Sequence, residues 1–261
     1  MSPARALYFA ATVGVLGVPV WSVLREPLPI PLIGGILLGY MAFTCLGVFF
    51  LGLRMYTDAL LRGPSGARGV ALTFDDGPHP THTRKVLDTL DEAGAKGTFF
   101  VIGRKAEEHP EIVKEIVARG HSVGLHSYGH DRLFSLRSTA YVRRDLKKGM
   151  ATLEALLGKR PRLFRPPIGH TNPIIARVVE ELDLEVIGWS VGARDGLAGT
   201  TVSDVLARVM PKAKDGAIVL LHDAPEHGER EPAGVTALAE LLGRLDAERM
   251  PVVPLATFLG E

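Results

Sequence analysis

The chain has 261 residues with 30 basic and 29 acidic side chains, a formal charge of +1. The basic residues are dispersed rather than striped, which excludes a nucleic-acid partner held by a phosphate-matching surface. The single cysteine, Cys45, excludes an internal disulfide framework.

The first 53 residues carry only Arg5, Arg25 and Glu26 as charges. They form two apolar runs, 7–23 and 27–53, and a membrane span needs about 20 apolar residues. The first run is shorter and contains Gly14, Gly17 and Pro19, as a signal peptide can. No small-x-small cleavage site follows it, because Trp21 and Arg25 occupy that place. Two transmembrane helices joined by a turn at 25–31 are therefore expected, with Cys45 packing inside the second. Residues 1–55 then form a membrane anchor in contact with lipid, 56–68 a linker and 69–261 a catalytic domain. Arg5 precedes the first span and Arg54, Arg62 and Arg68 follow the second, against Arg25 alone in the turn. Basic residues mark the cytoplasmic side, which places both ends and the catalytic domain there.

From residue 69 the pattern alternates. Strand-like runs at 69–74, 97–102, 121–125, 162–165, 185–189, 217–221 and 251–254 are separated by helical stretches. In the stretch 109–119, for example, Ile112, Val113, Ile116 and Val117 share one face. Alternation of this kind means parallel strands joined by crossovers. Seven strands in about 190 residues predict an α/β fold, a shortened and distorted (β/α) barrel. One domain of that size can bury its own core.

Polar motifs recur just past the strand-like runs. Thr73-Phe74-Asp75-Asp76-Gly77-Pro78 places two adjacent carboxylates on a sharp turn, at the strand end where such folds carry their chemistry. His126-Ser127-Tyr128-Gly129-His130 follows the run 122–125, and two imidazoles four apart on a helical turn can reach one metal ion. Arg165-Pro166-Pro167-Ile168-Gly169, the segment from Trp189 to Asp195, and Leu220-Leu221-His222-Asp223 complete the series. His79, His82, His109 and His121 lack such pairing and read as surface or loop residues.

In these motifs the chain resembles the polysaccharide deacetylase family, carbohydrate esterase family four, also called the NodB homology domain. The resemblance covers roughly residues 69–223. It implies that Asp76, His126 and His130 bind a divalent metal, zinc being the expected one. It makes Asp75 the catalytic base held by Arg165, and His222 the catalytic acid oriented and charge-tuned by Asp195. Ile168, Leu220 and Trp189 are the expected substrate contacts. Where the family usually has an aromatic residue, an aspartate and a tryptophan, this chain has Ile168, Gly192 and Gly196. Ile168 keeps a backbone N–H for the oxyanion but changes the wall, and Gly196 opens the acyl pocket.

General chemistry agrees. Two neutral imidazoles and one carboxylate leave a divalent ion with positive charge and open positions. Amide hydrolysis then needs a base for the water proton and an acid for the departing amine. A carboxylate beside an arginine stays ionised, and an imidazole bonded to an aspartate stays protonated. The expected function is removal of N-acetyl or other N-acyl groups from an amino sugar, in a polysaccharide, a glycan precursor or a lipid-linked sugar. The alternatives are a deacylase or deformylase of a polyprenyl-linked sugar, a non-catalytic carbohydrate-binding relative, and a non-haem iron oxygenase. The last leaves Asp75 and the His222–Asp195 couple without a task.

Overall fold

A computed structural model describes residues 1–260. It begins with two helices, α1 (Pro3–Leu24) and α2 (Ile30–Phe49). At 1.5 Å per residue they are about 33 and 30 Å long, close to the hydrocarbon thickness of a bilayer. The Ser2 side chain caps α1 by accepting from the Arg5 N–H at 3.1 Å. Residue for residue they are apolar yet unburied: α1 has no buried side chain and α2 only Gly47. Both are long and apolar enough to cross a membrane. They run side by side, tied by a hydrogen bond between Thr12 Oγ1 and the Tyr40 hydroxyl at 2.8 Å.

The rest alternates as expected. In chain order come β1 (Ala59–Leu60), β2 (Val70–Asp75), α3 (His82–Glu92), β3 (Thr98–Val101), α4 (Gly103–Glu108), α5 (Pro110–Ala118), β4 (Ser122–Leu125) and α6 (Thr139–Leu157). Then follow β5 (Leu163–Phe164), α7 (Pro173–Glu181), β6 (Glu185–Ile187), β7 (Val191–Gly192), α8 (Val202–Val209), β8 (Ala217–His222) and α9 (Ala233–Ala247). All strand pairs are parallel, in the order β1-β6-β5-β4-β3-β2-β8-β7. The sheet curls into a half-barrel in which β2, buried at all six positions, lies between β3 and β8. The helices present apolar faces to it: Ile112, Val113 and Ile116 of α5 are fully buried, as are Val205 and Val209 of α8. Local signals set their ends. Asn172 and Thr201 cap α7 and α8 through side-chain oxygens, and Gly158 closes α6 in the left-handed conformation.

The strand count is eight, not seven. Residues 251–254 form no strand, because Pro251 and Pro254 have no N–H for a ladder, and only Val252 bridges to Val70. The two additional strands, β1 and β7, are two residues each and too short to show a period. β1 lies inside the segment read as a linker, which corrects that reading for its central part. Leu60 pairs with Ile187, the Gly188 N–H donates to the Leu60 carbonyl at 2.8 Å, and the Gly63 N–H donates to the Gly216 carbonyl at 2.8 Å. Residues 59–63 therefore run from the β6 edge to the entry of β8 and close the curled sheet.

Candidate active site

Five chain segments meet where the strands end. Asp75 is the last residue of β2 and His222 the last of β8, paired side by side in register. His126 follows β4, Arg165 follows β5 and Asp195 follows β7. All ten candidate residues lie on this carboxyl-end face or on the strands leading to it.

Arg165 is fully buried and each of its three guanidinium nitrogens donates. Nη1 donates to Asp75 Oδ1 at 2.7 Å and to Thr73 Oγ1 at 2.9 Å, Nε to the Ile187 carbonyl at 3.1 Å, and Nη2 to the Gly188 carbonyl at 2.9 Å. Its guanidinium lies over the Phe100 ring, 4.1 Å from the centroid. Burial depresses its pKa and the Asp75 charge opposes this. One buried carboxylate is thus fixed by one buried cation, and breaking either partner strands the other.

Asp76 adopts a positive φ of 72°, which turns its side chain away from that of Asp75 and toward the histidines. Its Oδ1 lies 3.5 Å from His126 Nε2 and 3.2 Å from His130 Nε2. The three ligand-type atoms lie within 4.8 Å of one another, and all three residues are buried. His126 Nδ1 donates to the Arg165 carbonyl at 2.8 Å, which leaves Nε2 aimed at the cluster. Burial pushes the His126 pKa down, toward the neutral ligand form. Asp76 Oδ1 is buried with no hydrogen-bond partner among the described residues. That orphaned oxygen and two Nε2 atoms fit a divalent ion.

His126 and His130 do not share a helical turn. Residues 126–130 form a loop with Ser127 and His130 in the left-handed region. What brings the rings together is Asp145 of α6, which accepts the Tyr128 and Gly129 N–H groups at 2.8 and 3.0 Å. The His130 N–H is held by Ser127 Oγ at 2.9 Å.

His222 is gripped twice by Asp195, through Nδ1 at 2.9 Å and through its backbone N–H at 2.8 Å. Burial alone lowers its pKa, but the Asp195 charge and hydrogen bond, joined by Asp76 and Asp75, push it up to about 9. Asp195 is fully buried against the start of α9, where Gly234 is required. A Cβ there would stand 2.1 Å from Asp195 Oδ2. Trp189 packs across Gly169, whose missing Cβ would come within 2.6 Å of the indole and whose φ is +74°. Ile168 stands beside it, 45% exposed, with φ of +50°. Leu220 of β8 is half-buried.

Four contributors carried no role in the sequence. Lys105 Nζ donates to the Asp76 carbonyl at 2.8 Å and the Pro225 carbonyl at 2.7 Å. Glu226 Oε1 faces His130 Nδ1 at 3.1 Å and pairs with Arg132. Asp223, fully buried, accepts from Thr83 Oγ1 at 2.5 Å and is pushed up to about 7 by burial. It packs so close to Gly77 that a Cβ there would meet its carboxylate at 2.2 Å. Asp145 is the fourth. Only Asp223 had a visible signal, its place beside His222. His82 and His121 are buried rather than at the surface, and His121 Nδ1 accepts the Gly97 N–H at 3.1 Å.

A curled parallel sheet carrying a carboxylate–arginine pair, a histidine–aspartate pair and a metal-compatible cluster defines a barrel-type hydrolase. The family model described as polysaccharide deacetylase matches residues 62–187. A peptidoglycan-N-acetylglucosamine deacetylase of Bacillus cereus is 35% identical over 199 residues, 75% of this chain and 90% of the relative. A crystal structure of a peptidoglycan N-acetylglucosamine deacetylase aligns with a TM-score of 0.71 at 31% identity, covering 76% of this chain and 91% of the other. A family 4 acetyl xylan esterase from Clostridium thermocellum, solved with a cobalt ion, aligns at 0.66 and 32% identity, covering 73% and 90%. The chain belongs to the polysaccharide deacetylase family, carbohydrate esterase family four, and is a hydrolase of its amide-cleaving kind.

Proposed function

We propose that this protein is a membrane-anchored, metal-dependent N-deacetylase of amino-sugar glycans or their precursors. The observation that carries the reading is the placing of Asp75–Arg165 and His222–Asp195 on neighbouring strands beside the Asp76/His126/His130 cluster. A divalent ion held by those three residues, with zinc the expected one, supplies a Lewis acid for the acyl carbonyl and acidifies water. Everything else falls to the chain. Asp75, held by Arg165, takes the proton of the attacking water as the new C–O bond forms. His222 delivers its proton to the amide nitrogen as the C–N bond breaks, releasing acetate and a free amino sugar. Ile168, Trp189 and Leu220 form the wall against which the sugar lies. The B. cereus relative, named for peptidoglycan N-acetylglucosamine, supports an N-acetylated glycan as substrate.

The two apolar helices are read as spans, with both ends and the catalytic domain on the side marked by Arg5, Arg54, Arg62 and Arg68, the cytoplasmic side. The test of function is acetate release by the full-length protein in detergent from peptidoglycan, chitooligosaccharides and acetylated xylan, with chelator and zinc add-back. Release from an N-acetylated glycan that chelator abolishes and zinc restores is expected. Release from the xylan ester alone would overturn the amide assignment.

A further inference from the structure

Outside the first 53 residues, five large apolar side chains are exposed among the described residues: Val117, Leu133, Leu136, Ile168 and Leu197. Four of them stand on loops that follow strands at the carboxyl-end face: Leu133 and Leu136 after β4, Ile168 after β5 and Leu197 after β7. Leu136 is 77% exposed, and apart from Ile168 in the sugar wall none of this surface is explained by the site.

The same rim is where α2 meets the barrel. The Thr171 N–H donates to the Val48 carbonyl at 3.2 Å, and the Phe49 ring meets the His170 imidazole edge-on at 5.0 Å. One residue further on, Asn172 Nδ2 donates to the Ser135 carbonyl at 2.6 Å, which fixes the loop between Leu133 and Leu136 beside that junction. The start of α1 lies there as well. Ser2 Oγ donates to the Arg54 carbonyl at 2.9 Å, and Arg5 pairs with Asp58 at 2.8 Å. Phe49 and Phe50, each 57% exposed, continue the apolar surface from the end of α2 toward the rim.

We propose that Leu133 and Leu136 form a lipid-contacting rim that seats the mouth of the site on the bilayer surface. This rests on the two-span reading of α1 and α2. A helix pair crossing the bilayer fixes where the interface lies, at the end of α2. Exposed aliphatic side chains at that level are stabilised by entering the acyl boundary, which removes their apolar surface from water. Arg132 and Arg137 flank the two leucines and are paired with Glu226 and Asp131. The consequence is a substrate restriction: the site serves glycan lying at the membrane surface in preference to polymer free in solution.

The test uses the full-length chain with Cys45→Ser, reconstituted in phosphatidylcholine–phosphatidylglycerol vesicles. Leu133→Cys, Leu136→Cys and, as a control on α9, Glu240→Cys are each labelled with an environment-sensitive fluorophore. Acetate release from a soluble chitooligosaccharide, retained in each variant, shows that the barrel is folded. The expected result is blue-shifted emission lost to doxyl-labelled lipid at 133 and 136, and neither effect at 240. Vesicle-bound protein with unquenched emission at 133 and 136 overturns the rim while leaving the anchor standing. So does emission that responds to chitooligosaccharide and not to lipid, which makes the patch a sugar contact. Extraction of the chain by alkaline carbonate overturns the two-span reading itself, and the rim with it.

Discussion

Asp75 and Asp76 are adjacent in sequence and opposite in situation. The positive φ at Asp76 sends one carboxylate to the histidines while Asp75 stays against Arg165. Asp75→Asn is therefore expected to keep the metal and lose turnover by about 10²–10⁴-fold, and His222→Ala to do the same. Parallel metal analysis and acetate-release assays check this, and near-normal rates in both variants would contradict the roles. The charge on His222 has its own signature. In metal-free protein its imidazole is expected to titrate at about 9, and Asp195→Asn to bring it down, since burial remains when the Asp195 charge is gone. Histidine NMR titration reads both values. Because the folded value lies above the unfolded one of about 6.5, the Asp195 contact stabilises the metal-free fold below that pH. The contribution is lost as pH rises through about 9. A bound cation lowers the His222 value by offsetting the fields of Asp75 and Asp76.

At the scale of elements, the loop between β4 and α6 depends on a residue far from it in sequence. Asp145 accepts two N–H groups of the loop that carries His126 and His130. Asp145→Ala strands both donors, an effect of about 1–3 kcal/mol on stability. It should weaken metal binding by about 10–100-fold, as loss of a support to metal ligands does. Isothermal titration with zinc and thermal melts with and without metal measure the two effects separately. Unchanged zinc affinity would show that the loop holds its shape without Asp145.

At the scale of the molecule, β1 and the residues before it belong to the barrel. Leu51 is buried in the barrel core against Gly188, and residues 59–63 close the sheet between β6 and β8. A chain starting at residue 50 is therefore expected to fold as a soluble hydrolase, whereas one starting at residue 69 exposes the edge of β6 and melts lower or aggregates. Thermal unfolding and gel filtration of the two fragments compare them, and equal melting temperatures would remove the closing role from β1. The proposed orientation in the membrane is likewise tested on the whole chain. A reporter active only outside the cytoplasm, fused after Glu261, should be silent if both ends lie inside.

Much of this was legible in one dimension. Alternating apolar runs announce parallel strands and crossover helices. Turn-forming Gly-Pro and strand ends put Asp75, His126, Arg165 and His222 on one face, because every strand of a parallel sheet ends on the same side. The apolar helices were equally plain, since length and lack of charge are local properties. What the sequence could not show depends on contacts between distant segments. Two-residue strands have no period, so β1 and β7 were invisible, and the prolines at 251 and 254 removed a strand that hydrophobicity alone suggested. The histidine pair was expected on a helix because a spacing of four suits one, yet a carboxylate from α6 holds it as a loop. Glu226, Lys105 and Asp145 look like ordinary surface charges until folding gathers them around the site, where unpaired polar atoms are costly and each finds its partner. Residue identity and period determine the scaffold and the reactive groups. The family resemblance already assigns one carboxylate to the histidines and the other to the arginine, but only the tertiary structure gives the physical reason, which is backbone conformation and burial.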